Sequence, residues 1–193
     1  IVNNLVGVNA AGTGALGNSQ QGILVQNSSG ATIRLNFVAA NGGNGIELAV
    51  SVSGASVRRN TIGMPNGSAT ALRNAGHGIL ISSSSNNTIG SATDGAEGNV
   101  IWGNGANGIS VVGPALTTGN ALRRNSLLGN ALRGIDLGNN GITANDIGDL
   151  DSGPNNLQNF PVLASAPGGI SGTLNSRPNL TYAIEYFINE NCD

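Results

Sequence analysis

The stretch NGGNGIEL at 41–48 returns as NGANGISV at 104–111, sixty-three residues later. A larger copy surrounds it. VGVNAAGTGALGNSQQGILVQNSSGATI, from Val6, runs without a gap beside IGMPNGSATALRNAGHGILISSSSNNTI, from Ile62. Gly22-Ile23-Leu24-Val25 meets Gly78-Ile79-Leu80-Ile81, and after a seven-residue insertion Asn36 meets Asn99 and Asn41 meets Asn104. A tandem repeat restricts a chain to architectures in which one supersecondary unit stacks on the next.

The finer unit is Gly-Ile-x-(Leu/Val/Ile), which starts at Gly22, Gly45, Gly78, Gly108 and Gly134, at intervals of 23, 33, 30 and 26 residues. The apolar segments are short, β-branched and interrupted by Asn-Gly, Gly-Asn and Ser-Ser turn pairs, which excludes helical repeats. About 23 residues with several short strands is one coil of a parallel β-helix. The longer intervals are coils with outward loops, at Gly63–Gly76 and Gly90–Gly98. The spacing predicts an all-β solenoid of about six coils over residues 1–163, with a short C-terminal hairpin or strand appendage over 164–193.

Side chains alternate along a strand. Ile23, Val25, Ile46, Leu48, Ile79, Ile81, Ile109, Val111, Ile135 and Leu137 therefore face inward, each stacked on its counterpart. Leu24, Glu47, Leu80, Ser110 and Asp136 form the outward column. Asn41, Asn104 and Asn130 at one corner, and Asn60 and Asn125 at another, are expected to form ladders that satisfy the turn polar groups.

Charge and composition exclude several classes. Only 9% of residues are charged, the net charge is −2, and no basic cluster is present, so nucleic acid is not an expected partner. No apolar run is long enough to span a membrane. The single Cys192 allows no intrachain disulfide.

The motifs that resemble chemistry mostly dissolve in context. GTGALG (12–17) and GNGANG (103–108) fit G-x-G-x-x-G, but no helix follows either. GGNGIELAV nearly fits the calcium nonapeptide, yet no nine-residue period exists. The candidate metal ligands are Asp146, Asp149 and Asp151 in NDIGDLD, with Asp136 upstream. Several carboxylates on a Gly-rich loop suit calcium, although the same residues also serve as Asx turns. No catalytic set emerges. Glu47 and Asp136 fall three coils apart, roughly 14 Å, which is too far for a glycosidase pair. His77, the only histidine, aligns with Gln21 and reads as a solvated turn residue, and Trp102 reads as packing.

The units NTIG, GNVIWGNGANGISV and RRNSLLGNALRGIDLGNNGI resemble the right-handed parallel β-helix repeat domains of large bacterial secreted or cell-surface proteins. NDIGDLDSGPNNLQNFPVL (145–163) is similar to the segment that closes such domains, and GTLNSRPNLTYAIEYFIN (172–189) to the start of a following β-sandwich-like module. The resemblance implies a right-handed fold and an extracellular or cell-surface setting. It does not imply a reaction. Tyr182, Ile184, Tyr186 and Ile188 alternate as a strand that either covers the last coil or pairs with another molecule. Ile1 opens directly in coil sequence, so the chain is expected to be part of something longer or to meet copies of itself. Three readings follow: a non-catalytic stalk, spacer or adhesin-like segment; a subunit of a filament that self-associates through coil ends or residues 180–188; and a polysaccharide-binding or polysaccharide-cleaving protein.

Overall fold

A computed structural model describes residues 1–63, 72–93, 95–166 and 169–186. The chain winds through three strands per turn. In chain order these are β1 (Leu5–Val6), β2 (Ile23–Gln26), β3 (Thr32–Arg34), β4 (Phe37–Val38), β5 (Ile46–Ala49), β6 (Ser56–Arg58), β7 (Thr61–Gly63), β8 (Ile79–Ser82), β9 (Thr88–Gly90), β10 (Val100–Trp102), β11 (Ile109–Val112), β12 (Ala121–Arg123), β13 (Ser126–Leu128) and β14 (Ile135–Leu137). The first face stacks β1-β4-β7-β10-β13, the second β2-β5-β8-β11-β14, and the third β3-β6-β9-β12. Every pairing within these faces is parallel. This is a parallel β-helix. Among the described residues its stack has five turns, the last without a third strand, where about six were expected. Residues after Gly138 leave the helical path for an Asp- and Asn-rich loop and a 3-10 turn at Pro154–Leu157.

The register agrees with the Gly-Ile-x-Leu spacing. Ile23, Ile46, Ile79, Ile109 and Ile135 align, as do Val25, Leu48, Ile81, Val111 and Leu137. Ile46, Leu48, Ile79, Ile81, Ile109 and Val111 are fully buried, and each such side chain stabilises by about 1.5–3 kcal/mol. The preceding glycine has a steric reason. A Cβ on Gly78 would lie 2.3 Å from Ile101 Cγ2 and 2.7 Å from Gly108 O, because the corner packs directly on the coil below.

Asparagine ladders run down all three corners. The corner entering the first face links Asn4, Asn36, Asn60, Asn99 and Asn125 through Nδ2–H to Oδ1 bonds of 2.9 Å. The corner entering the second face links Asn18, Asn41, Asn74, Asn104 and Asn130 at 2.9–3.0 Å. The third contains Asn87 and Asn120, at 3.0 Å, and ends where the Asn120 N–H donates to Asn155 Oδ1. The last interaction makes the 3-10 turn the lower end of the third face. The residue before the ladder asparagine is left-handed at Leu35, Arg59 and Arg124, with φ of 58°, 52° and 56°. Left-handed non-glycine residues cost about 1–2 kcal/mol each, and the ladder asparagine that follows each one offsets that strain.

The appendage is a hairpin formed upstream of the expected strand. β15 (Val162–Ala166) pairs antiparallel with β16 (Gly169–Thr173). Residues 181–186 join no sheet, so the predicted alternating strand does not form there, and Ile188 lies outside the described residues. The segment is held at Arg123 of β12 instead, through Glu185 at 3.5 Å. Cys192 and most of the Gly63–Gly76 loop also lie outside the described residues.

Candidate functional site: an aspartate cluster and two polar constellations

The loop after β14 brings Asp146, Asp149 and Asp151 together, with carboxylate oxygens within 4.8 Å of one another. Asp149 is buried. Its Oδ1 accepts from the Asn159 N–H at 3.0 Å, and its Oδ2 accepts from Gln158 Nε2 at 3.2 Å and from Ser176 Oγ. Asp146 Oδ2 accepts the Leu150 and Asp151 N–H groups at 2.9 and 3.2 Å, an Asx-type turn. That turn accounts for one oxygen of Asp146 and leaves two others unexplained. Asp146 Oδ1 and Asp151 Oδ1 are buried without a hydrogen-bond partner. Desolvation, then the neighbouring Asp146 and Asp149 charges, raise the Asp151 pKa, while Arg177 pulls it down. Arg177 also donates to the Asp149 and Asp151 carbonyls at 2.9 and 3.5 Å. An oxygen-only donor set with two unsatisfied carboxylate oxygens fits a hard cation such as calcium. Asp136 stands apart from this cluster, on β14.

The outward column on the second face is confirmed in register: Leu24, Glu47, Leu80, Ser110 and Asp136 align. Three residues ahead of it in each coil lies a polar column: Gln21, Asn44, His77, Asn107 and Arg133. Each precedes the glycine of its coil. Gln21 Nε2 and Asn44 Nδ2 donate to Glu47 Oε2 at 2.6 and 2.9 Å. His77 Nδ1 accepts the Asn107 N–H at 3.1 Å, which places the proton of the neutral ring on Nε2. Burial lowers the His77 pKa, while Asp136 and Glu47 draw it back up. His77 is thus a half-buried member of a network, not a freely solvated residue. Its position before the repeat glycine was the signal that could have revealed this. Glu47 and Asp136 remain separated by two intervening strands, so they do not form a carboxylate pair.

The arginine pairs each hold a carboxylate. Arg58 and Arg59 both bind Glu97, from the 3-10 turn at Gly95–Glu97, with Arg59 Nη1 at 3.4 Å. In the second copy, Arg123 Nε lies 3.5 Å from Glu185 Oε1, and the Arg124 N–H donates to Glu185 Oε2 at 2.6 Å. Glu185 therefore meets the second arginine pair as Glu97 meets the first. Trp102 faces outward rather than into the core, next to Gly63 and Leu128, with Nε1 donating to Ser126 Oγ at 3.3 Å. GTGALG is a closed loop in which Asn9 Oδ1 accepts the Thr13 N–H at 2.9 Å.

Stacked parallel faces, a single apolar column and side-chain ladders at the corners define a β-helix solenoid. The family model of the right-handed β-helix region matches residues 2–149, and the chain belongs to that family. No curated protein and no solved structure matches the chain. Among the described residues, no helix is long and apolar enough to cross a membrane.

Proposed function

We propose that the chain is a non-catalytic structural segment of an extracellular or cell-surface protein, a stiff stalk or spacer whose closing loop is tied by calcium at Asp146, Asp149 and Asp151. The observation that supports it is the continuity of the ladders. The asparagines from Asn36 to Asn125 and from Asn41 to Asn104 are at most 5% exposed. A buried amide stack of this length resists bending, since any shift between coils breaks bonds at the corner. The orphan oxygens of Asp146 and Asp151 support the calcium assignment. The test is calorimetric titration of calcium into chelator-treated protein, together with a polysaccharide panel assayed for new reducing ends and unsaturated products. Saturable calcium binding without cleavage is expected. Turnover of any polysaccharide would overturn the non-catalytic reading.

A second reading, self-association, is favoured by the hairpin. Val162, Leu163 and Ile170 are 56–61% exposed, and Leu180, Ile184 and Tyr186 are exposed nearby. Two-stranded hairpins are marginal alone, and apolar ones favour contact with another molecule. Sedimentation of the intact chain and of one ending at residue 161 separates the readings: loss of a concentration-dependent species on truncation supports association.

A further inference from the structure

β14 is the end strand of the second face, so one of its edges is unpaired. All three of its residues line a cavity of about 380 Å³, walled on the far side by Ile142, Leu157 and Phe160. A second cavity of about 530 Å³ shares Ile135, Leu137 and Phe160 and extends to Leu122. At the outward rim sits Asp136, whose side chain is 3% exposed. Its Oδ2 accepts from Asn107 Nδ2 at 3.3 Å and from the Gly141 N–H at 3.2 Å, and lies 3.8 Å from Arg133 Nη1. Its Oδ1 is buried and has no partner. An ionised oxygen left this way is costly. Higher in the same column, the Glu47 carboxylate takes amide donors from its own turn and from the turn above. Asp136 is served from the same two turns, by Asn107 from above and Arg133 from its own, yet its Oδ1 stays without a partner.

We propose that this edge binds an extended polypeptide segment as a parallel sixth strand, with apolar residues beneath Ile135 and Leu137 and a lysine or arginine beneath Asp136. Parallel strands on this face stack in strict register, so the column above dictates each side chain of the guest. The inward positions demand aliphatic groups and the outward position a donor. Main-chain bonds to the β14 edge supply affinity, and Asp136 supplies selectivity.

The probe is a labelled peptide carrying Gly-Ile-Lys-Leu, the repeat unit of this chain with lysine at the outward position, compared with the same peptide carrying glutamate there. Fluorescence anisotropy with the full chain is expected to show the lysine peptide binding about tenfold more tightly, the value of one charge-assisted hydrogen bond. Asp136→Asn is expected to abolish the preference. Phe160→Ala, on the far wall, is expected to weaken both peptides and leave the preference intact, which keeps the idea testable even if the Asp136 variant unfolds. Equal binding of the two peptides, no binding of the lysine peptide, or a preference that survives Asp136→Asn overturns the proposal.

Discussion

Asn74 Nδ2 donates to Asn104 Oδ1 at 3.0 Å, and both side chains are buried, one coil above the other. Asn74 Oδ1 in turn accepts the Asn41 Nδ2–H and N–H at 2.9 and 3.1 Å. One side chain thus serves the coil above and the coil below. Asn74→Ala would orphan a buried donor and a buried acceptor at once. The expected cost is about 3 kcal/mol or more, a fall in Tm of about 10 °C. Calorimetry of this variant beside exposed Asn140→Ala checks it, since the latter should change little.

His77 gives the pH dependence a sign. Its folded pKa lies below 6.5, so the unfolded chain takes up a proton first as pH falls. Stability from this group is complete above about 6.5 and declines as pH drops below it. The charges facing the ring are Glu47 and Asp136, and both limit the decline. His77→Gln, which copies Gln21 of the first coil, should flatten the Tm profile over the acid side of that window. Urea melts across pH measure it. An unchanged slope would remove His77 from the account.

Asp151 behaves oppositely. Its folded pKa is raised, so its ionised form burdens the folded state at neutral pH, and that burden lifts as pH falls through the folded pKa. Calcium should raise Tm at neutral pH, by the equivalent of about 2.7 kcal/mol at a hundredfold excess over Kd, and less in mild acid. Asp151→Asn should be at least as stable as the parent in chelator yet lose the calcium response. A response retained in that variant would place the ion elsewhere.

Glu185 holds the 181–186 segment on Arg123 and Arg124. Glu185→Gln should release it, so that chymotrypsin cuts after Tyr182 severalfold faster while the Tm of the solenoid moves by less than about 2 °C. The bond is partly exposed, with side chains 32% and 23% accessible, so added salt should have the same effect in the parent.

The inward and outward columns were legible because their period of two is fixed by strand geometry, and Gly-Ile-x-Leu marks the phase. Two ladders were also legible from Asn41, Asn104, Asn60 and Asn125. The third, at Asn87 and Asn120, was not. Serines surround it, and Ser84 Oγ takes the Val52 N–H in place of an amide at the same corner. The aspartate cluster was visible as composition, but its orphan oxygens depend on Asn159, Ser176 and Arg177, which fold in from as far as 28 residues away. The same holds for Glu185, whose partner lies 61 residues upstream. Local pattern fixes what a strand faces. It does not say which distant side chain completes a polar site.

The most direct test of the ladder-locked solenoid is hydrogen exchange of asparagine side-chain amides by NMR. Those of Asn41, Asn60, Asn74, Asn99 and Asn104 should exchange only through global unfolding, with protection equal to that of the most stable backbone amides. Exchange of these groups as fast as that of exposed asparagines, in protein that remains folded, would contradict the account.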